Sequence, residues 1–89
     1  MNSNENWVLQ VDPVVYKFLK KIPRREAERI LATVNDLPRD PFYGDIQKMG
    51  GEKNVWRRRI GSYRIKYEVI PQERVIHVFR AERRTSRTY

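Results

Sequence analysis

The chain has 89 residues, with 19 Lys/Arg against 11 Asp/Glu (net charge +8) and no cysteine. That length allows one small domain, expected to span residues 1–89; at this size a fold buries roughly 60–65% of the surface its unfolded chain exposes. A disulfide framework and a thiolate metal site are excluded, no apolar run reaches the ~18–20 residues of a membrane-spanning helix, and the opening residues MNSNENW carry no secretion signal, so a soluble cytoplasmic protein is expected.

Trp7, Leu9 and Val11 alternate with polar residues, the period-2 mark of a half-buried strand. Asp12-Pro13 then reads as an N-cap and first helical residue. Val14, Val15, Phe18, Leu19 and Ile22 recur at helical spacing, leaving Lys17, Lys20 and Lys21 toward water. Pro23 breaks this helix. A second is predicted from Arg24, with Ala27, Ile30, Leu31, Val34 and Leu37 as its apolar stripe, ending before Pro38. Residues 38–54 hold Pro38, Pro41, Gly44, Gly50 and Gly51 with little periodicity and read as a connecting loop. Three strands follow, at Val55–Ile60, Tyr63–Ile70 and Arg74–Ala81. Gly61-Ser62 joins the first two as a glycine-first hairpin, and Pro71-Gln72-Glu73 makes the second turn. The order predicts an α+β fold: an N-terminal strand and a two-helix hairpin packed on an antiparallel sheet that ends in a three-stranded meander.

The charge is unevenly placed. Residues 1–52 hold eight Lys/Arg and eight Asp/Glu, whereas residues 53–89 hold eleven and three. The whole excess therefore lies in the last 37 residues. A cationic surface of one sign repels itself, and a polyanion such as nucleic acid is its natural complement. Side chains two apart on a strand share a face, so Arg57 and Arg59 project together and Arg58 points the other way. The hairpin brings Arg64 back toward that pair. Three guanidiniums on one face call for an anion among them, and arginine's paired donors match phosphate oxygens. Arg83, Arg84, Arg87 and Tyr89 extend the basic surface past the last strand.

The run from Trp56 to Tyr67 resembles the aromatic–basic–x–basic–x–Gly–x–Tyr–Arg–x–x–Tyr pattern of the RelE/ParE toxin superfamily, and within it the RelE-like messenger-RNA interferases. Lys48-Met49-Gly50-Gly51 is similar to the family's lysine–apolar–glycine segment, and Arg83 with Tyr89 to its closing arginine and tyrosine. The Gly61-x-Tyr63-Arg64 core is shared with relatives that do not cut RNA. The resemblance implies a ribosome-dependent, metal-independent endoribonuclease needing no cofactor. Such a toxin cleaves messenger RNA in the ribosomal decoding site by 2′-hydroxyl attack on the adjacent phosphate, and a small cognate antitoxin neutralises it. It also implies the roles. Arg57 and Arg59 would lie around the scissile phosphate and Arg64 would stabilise the charged transition state. Arg83 would help the leaving oxygen, and Tyr89 would act as general base. Lys48, Lys53, Lys66, Arg84 and Arg87 are the further RNA-binding candidates.

Chemistry limits some of these roles. Tyrosine titrates near ~10 and arginine above ~12 in water, so Arg83 is better suited to electrostatic stabilisation than to proton transfer, and Tyr89 needs surrounding cations to lower its value. Some family members carry lysine where this chain has Arg57 and Arg59, and often a small or apolar residue where it has Arg58; the stem of Arg58 is expected to run to an edge. Glu68 is the rival base. His77, the only histidine, excludes a histidine-pair ribonuclease and a histidine-rich metal site. Trp56, Tyr63 and Tyr67 are either base-stacking or core residues, with Tyr63 and Tyr67 on one face. Two other function classes compete: a non-enzymatic ParE-like inhibitor of DNA gyrase, and a plain RNA-binding module.

Overall fold

The fold was described from a computed structural model covering residues 7–51 and 53–84. Asp12 starts the first helix as the sequence predicts. Its Oδ1 accepts the Val14 N–H at 3.0 Å, and Pro13 opens α1 (Pro13–Leu19). A turn through Ile22 leads to Pro23, whose carbonyl accepts the Ala27 N–H at 3.0 Å inside α2 (Arg24–Asp36). A 3₁₀ turn, Leu37–Arg39, follows and buries Leu37. The strands are β1 (Val8–Val11), β2 (Ile46–Lys48), β3 (Val55–Ile60), β4 (Tyr63–Ile70) and β5 (Val75–Arg83).

They form one five-stranded sheet in the order β1-β5-β4-β3-β2. The β3-β4-β5 meander is antiparallel, with β4 central, whereas β1 adds to β5 in parallel. The sheet is therefore mixed. Residues 38–54, expected to be only a loop, contribute β2, which pairs antiparallel with β3 through Ile46–Arg58, Gln47–Arg57 and Lys48–Trp56. A three-residue strand is too short to leave a periodic signature. Gly61 takes φ +61° at the β3–β4 turn, where Ser62 does not, as a glycine-first hairpin requires.

Both helices cover one face. Val15 and Leu19 of α1 and Ile30 and Val34 of α2 meet Tyr63, Ile65, Tyr67 and Val69 of β4 and Ile76, Val78 and Ala81 of β5. Tyr63 and Tyr67 are core residues, and Trp56 packs against their cluster. Val14 departs from its expected place in the buried stripe and is half exposed, because the sheet reaches only the Val15–Leu19 side of this short helix.

One irregularity decides what lies on the other face. Lys66 pairs with Arg80, but its neighbour Tyr67 pairs with Val78, so β5 carries an extra residue at Phe79. Such a bulge shifts the alternation by one. Before it, Ile76 and Val78 face the helices and His77 faces away; after it, Ala81 faces the helices, while Arg80 and Glu82 face away.

Candidate functional site

The face of the sheet opposite the helices carries the cations. Partners directly across an antiparallel ladder share a face. The pairs Arg57–Lys66, Arg59–Arg64, Lys66–Arg80 and Arg64–Glu82 thus set a basic patch across β3, β4 and β5. Arg57, Arg59, Arg64 and Lys66 are brought together here. Arg58 points the other way, also as expected.

The anion among them is already supplied by the chain. Glu82 Oε2 accepts from Arg64 Nε at 2.6 Å and lies 3.5 Å from Lys66 Nζ, while Oε1 accepts from Arg80 Nε at 2.7 Å. Burial raises the cost of charge on this carboxyl, but hydrogen bonds from Arg80 and Arg64 and the charges of Lys66 and Arg64 outweigh it, holding its pKa at about 2. It is an anion at any physiological pH. Arg57 Nη2 donates to Gln47 Oε1 at 2.6 Å, and Arg59 Nη1 makes a long ionic contact with Asp45 Oδ2 at 3.9 Å. The side chains of Arg59 and Arg80 remain more than half exposed, so the patch is open to a ligand.

Arg83 is separated from this group. It pairs with Tyr63, a helix-face residue, and its Cζ lies 5.0 Å from the centroid of the Tyr63 ring. Strict alternation through β5 would have put Arg83 on the same face as His77; the extra residue at Phe79 reverses that. Arg84 continues past the strand, its N–H donating to the Ser62 carbonyl and its Nη1 to the Gly61 carbonyl at 2.9 Å. It is thereby fixed against the β3–β4 turn. Lys48 ends β2, and Lys53 lies in the exposed turn before β3, both at the far side of the sheet from β5. Arg87 and Tyr89 lie outside the described residues.

Glu68 lies on the patch face, opposite His77, beyond the bulge from Glu82. The carboxylate enclosed by arginines is Glu82. Neither Glu82 nor Arg80 stood out in the sequence, because an unbroken period-2 reading turns both toward the helices. Tyr67 is unsuited to proton transfer. Burial pushes its hydroxyl up to about 12, with Arg58 opposing and Asp40 adding to the rise, and the group donates to the buried Pro41 carbonyl.

Arg58 lies on the helix side of β3, one strand in from the sheet edge, and its Nε is buried without a hydrogen-bond partner among the described residues. Its Nη1 donates to the Tyr43 carbonyl at 3.0 Å, and its Cζ lies 6.0 Å from the centroid of the Tyr43 ring. Gly44 makes the close approach possible: its φ is +98°, and a Cβ there would fall 2.5 Å from the Arg58 Cζ. The guanidinium is thus a strap for the 40–45 loop, remote from the patch. Among the described residues, no three His, Cys, Asp or Glu side chains gather as a metal site would require.

Comparison with known proteins agrees with the topology. The family model described as the ParE toxin of type II toxin–antitoxin systems, parDE, matches residues 10–86. RelE1 of Methanocaldococcus jannaschii is 30% identical over 81 residues, covering 85% of this chain and 88% of its own. Among solved structures, the archaeal RelE–RelB complex from Pyrococcus horikoshii superposes with a TM-score of 0.79 at 24% identity, covering 92% of this chain and 99% of that one. The isolated Escherichia coli RelE toxin gives 0.75 at 18% identity, with coverage of 91% and 87%. The RelB–RelE antitoxin–toxin complex from Methanococcus jannaschii gives 0.69 at 26% identity, with coverage of 83% and 88%. A family model matching residues 10–86 and a relative 30% identical over most of both chains place this protein in the RelE/ParE superfamily of type II toxin–antitoxin toxins.

Proposed function

We propose that this toxin is a ribosome-dependent messenger-RNA endonuclease acting in the cytoplasm, and that its working surface is the sheet face bearing Arg57, Arg59, Arg64, Lys66 and Arg80. The observation that carries the reading is the convergence of guanidiniums from β3, β4 and β5 on the face opposite α1 and α2. Cleavage of RNA by its own 2′-hydroxyl needs charge stabilisation on the pentacoordinate phosphorus more than it needs new covalent chemistry. Arg59 and Arg64, directly opposed on the ladder, would take the non-bridging oxygens. Arg57 and Lys66 would hold the neighbouring phosphates. The proton steps would fall to Tyr89, with Glu68 as the alternative base. Because Arg83 sits over Tyr63, its role is outside this cluster.

RelE relatives crystallised with RelB support a cognate antitoxin as partner of this chain; the ribosome and its bound message are the target this reading proposes. The parDE description of the matching family favours a second reading, a gyrase inhibitor without nuclease activity. One experiment separates them. Purified protein is added to ribosomes programmed with messenger RNA, to the same RNA without ribosomes, and to gyrase with relaxed plasmid. The nuclease reading expects cleavage only on ribosomes and unimpeded supercoiling. Intact message with blocked supercoiling would replace it by the gyrase reading.

A further inference from the structure

We propose that Glu82 is a positioning residue of the RNA-cleaving face: it takes the Nε–H of Arg64 and of Arg80, one on each carboxylate oxygen, and so turns the Nη groups of both guanidiniums toward one substrate phosphate. The inference rests on the reading of this face as the cleavage surface; it adds Glu82 to that face and gives Arg80 a partner on it.

The geometry is specific. Arg64 comes from β4 and Arg80 from β5, yet both present Nε, not Nη, to the same carboxylate, at 2.6 and 2.7 Å. A guanidinium has five N–H donors in a rigid plane. Committing Nε fixes that plane and leaves the Nη amino groups. Among the described residues, neither Arg64 nor Arg80 makes a hydrogen bond through Nη. Lys66 Nζ, 3.5 Å from Oε2, closes the third side of the carboxylate. The arrangement is built, not incidental. Glu82 is one-fifth exposed and Arg64 about one-quarter, and the bulge at Phe79 alone brings Arg80 and Glu82 to this face.

A negative charge beside a phosphate site carries a cost. Glu82 repels the substrate it helps to align. It gains, in return, arginines whose side-chain freedom is lost at folding and not at the moment of reaction, which favours the transition state over simple binding. A residue serving only stability would show no such opposition between binding and turnover.

The test uses the full chain, with Glu82→Gln, which keeps shape and one acceptor oxygen, and Glu82→Ala. Two readouts are taken. The first is the ¹H–¹⁵N spectrum of arginine Nε–H groups in the free protein. Wild type should show Arg64 and Arg80 signals slowed in exchange, with one lost in Glu82→Gln and both in Glu82→Ala. The second is cleavage on programmed ribosomes. Both variants should lose about 10- to 100-fold in kcat while KM stays equal or falls. Unchanged Nε–H signals, or variant kcat equal to wild type, would overturn the positioning role. Loss of kcat with a parallel rise in KM would overturn it too, as removal of a merely structural support. A wild-type protein that leaves message uncut, with the Nε–H pattern as expected, would instead refute the cleavage reading of the face and leave the clamp itself in place.

Discussion

Glu82 also makes acid stability a measurable property of the patch. Its folded pKa of about 2 lies below the ordinary 4.5. A carboxyl depressed on folding contributes stability that is fully present above its unfolded pKa and is lost as pH falls through the folded one. The window is therefore pH 4.5 down to 2. At 1.36 kcal/mol per unit, the depression sets a ceiling of about 3 kcal/mol. Arg80 is 60% exposed, so water screens part of the attraction and about 1–2 kcal/mol is expected. Against the roughly 5–15 kcal/mol typical of small domains, that is a substantial share. The assay is urea unfolding of wild type and Glu82→Gln at pH 7 and pH 2.5. The wild type should lose about 1–2 kcal/mol more than the variant between the two conditions, since the variant has no proton to gain at this position. Superimposable pH dependences would show that the carboxylate is not held by its arginines.

Three other outcomes are expected. Arg64→Ala should lower ribosome-dependent cleavage by about 10²–10³ in kcat while circular dichroism stays that of the folded chain, because Arg80 and Lys66 still neutralise Glu82; cleavage at the wild-type rate would remove Arg64 from the site. Tyr67→Phe keeps the packing but leaves the Pro41 carbonyl without its donor, costing about 1–2 kcal/mol. Thermal unfolding should record this as a fall of about 4–8 °C per kcal/mol for a domain of this size. Affinity for single-stranded RNA should fall with salt at a log–log slope of about −3, the value for some four neutralised phosphates; a flat response would indicate an apolar partner surface.

Much of the fold was legible because its signals are local. Asp12-Pro13 carries its cap in two adjacent residues, Pro23 separates the helices, and the alternation of Tyr63, Ile65, Tyr67 and Val69 names the buried face of β4 without reference to any other strand. The opposition of Arg57 and Arg59 to Arg58 follows from the same period. What escaped depends on distant partners. β2 is defined only by β3, to which its three residues pair. The parallel attachment of β1 leaves no mark in its own four residues. The bulge at Phe79 is set by register against β4, and it moves Arg83 out of the expected cluster while bringing Glu82 in. Sequence reasoning correctly saw that crowded guanidiniums need an anion. It looked for that anion outside the chain, and the fold supplies one within.

The parallel pairing of β1 with β5 has a consequence for how the protein comes into being. β5 is the last of the five strands to leave the ribosome, and it lies between β1 and β4. Until it emerges, the N-terminal strand has no edge to join and α1 has no floor beneath Val15 and Leu19. Closure across such a sequence separation is intrinsically slow. Arg64 and Lys66 would meanwhile wait without their shared counter-charge. The β3–β4 hairpin can set Arg57, Arg59, Arg64 and Lys66 beside one another without β5, but Glu82 reaches Arg64 and Lys66 only when β5 joins β4, so the counter-charge is the last part of the patch to be put in place.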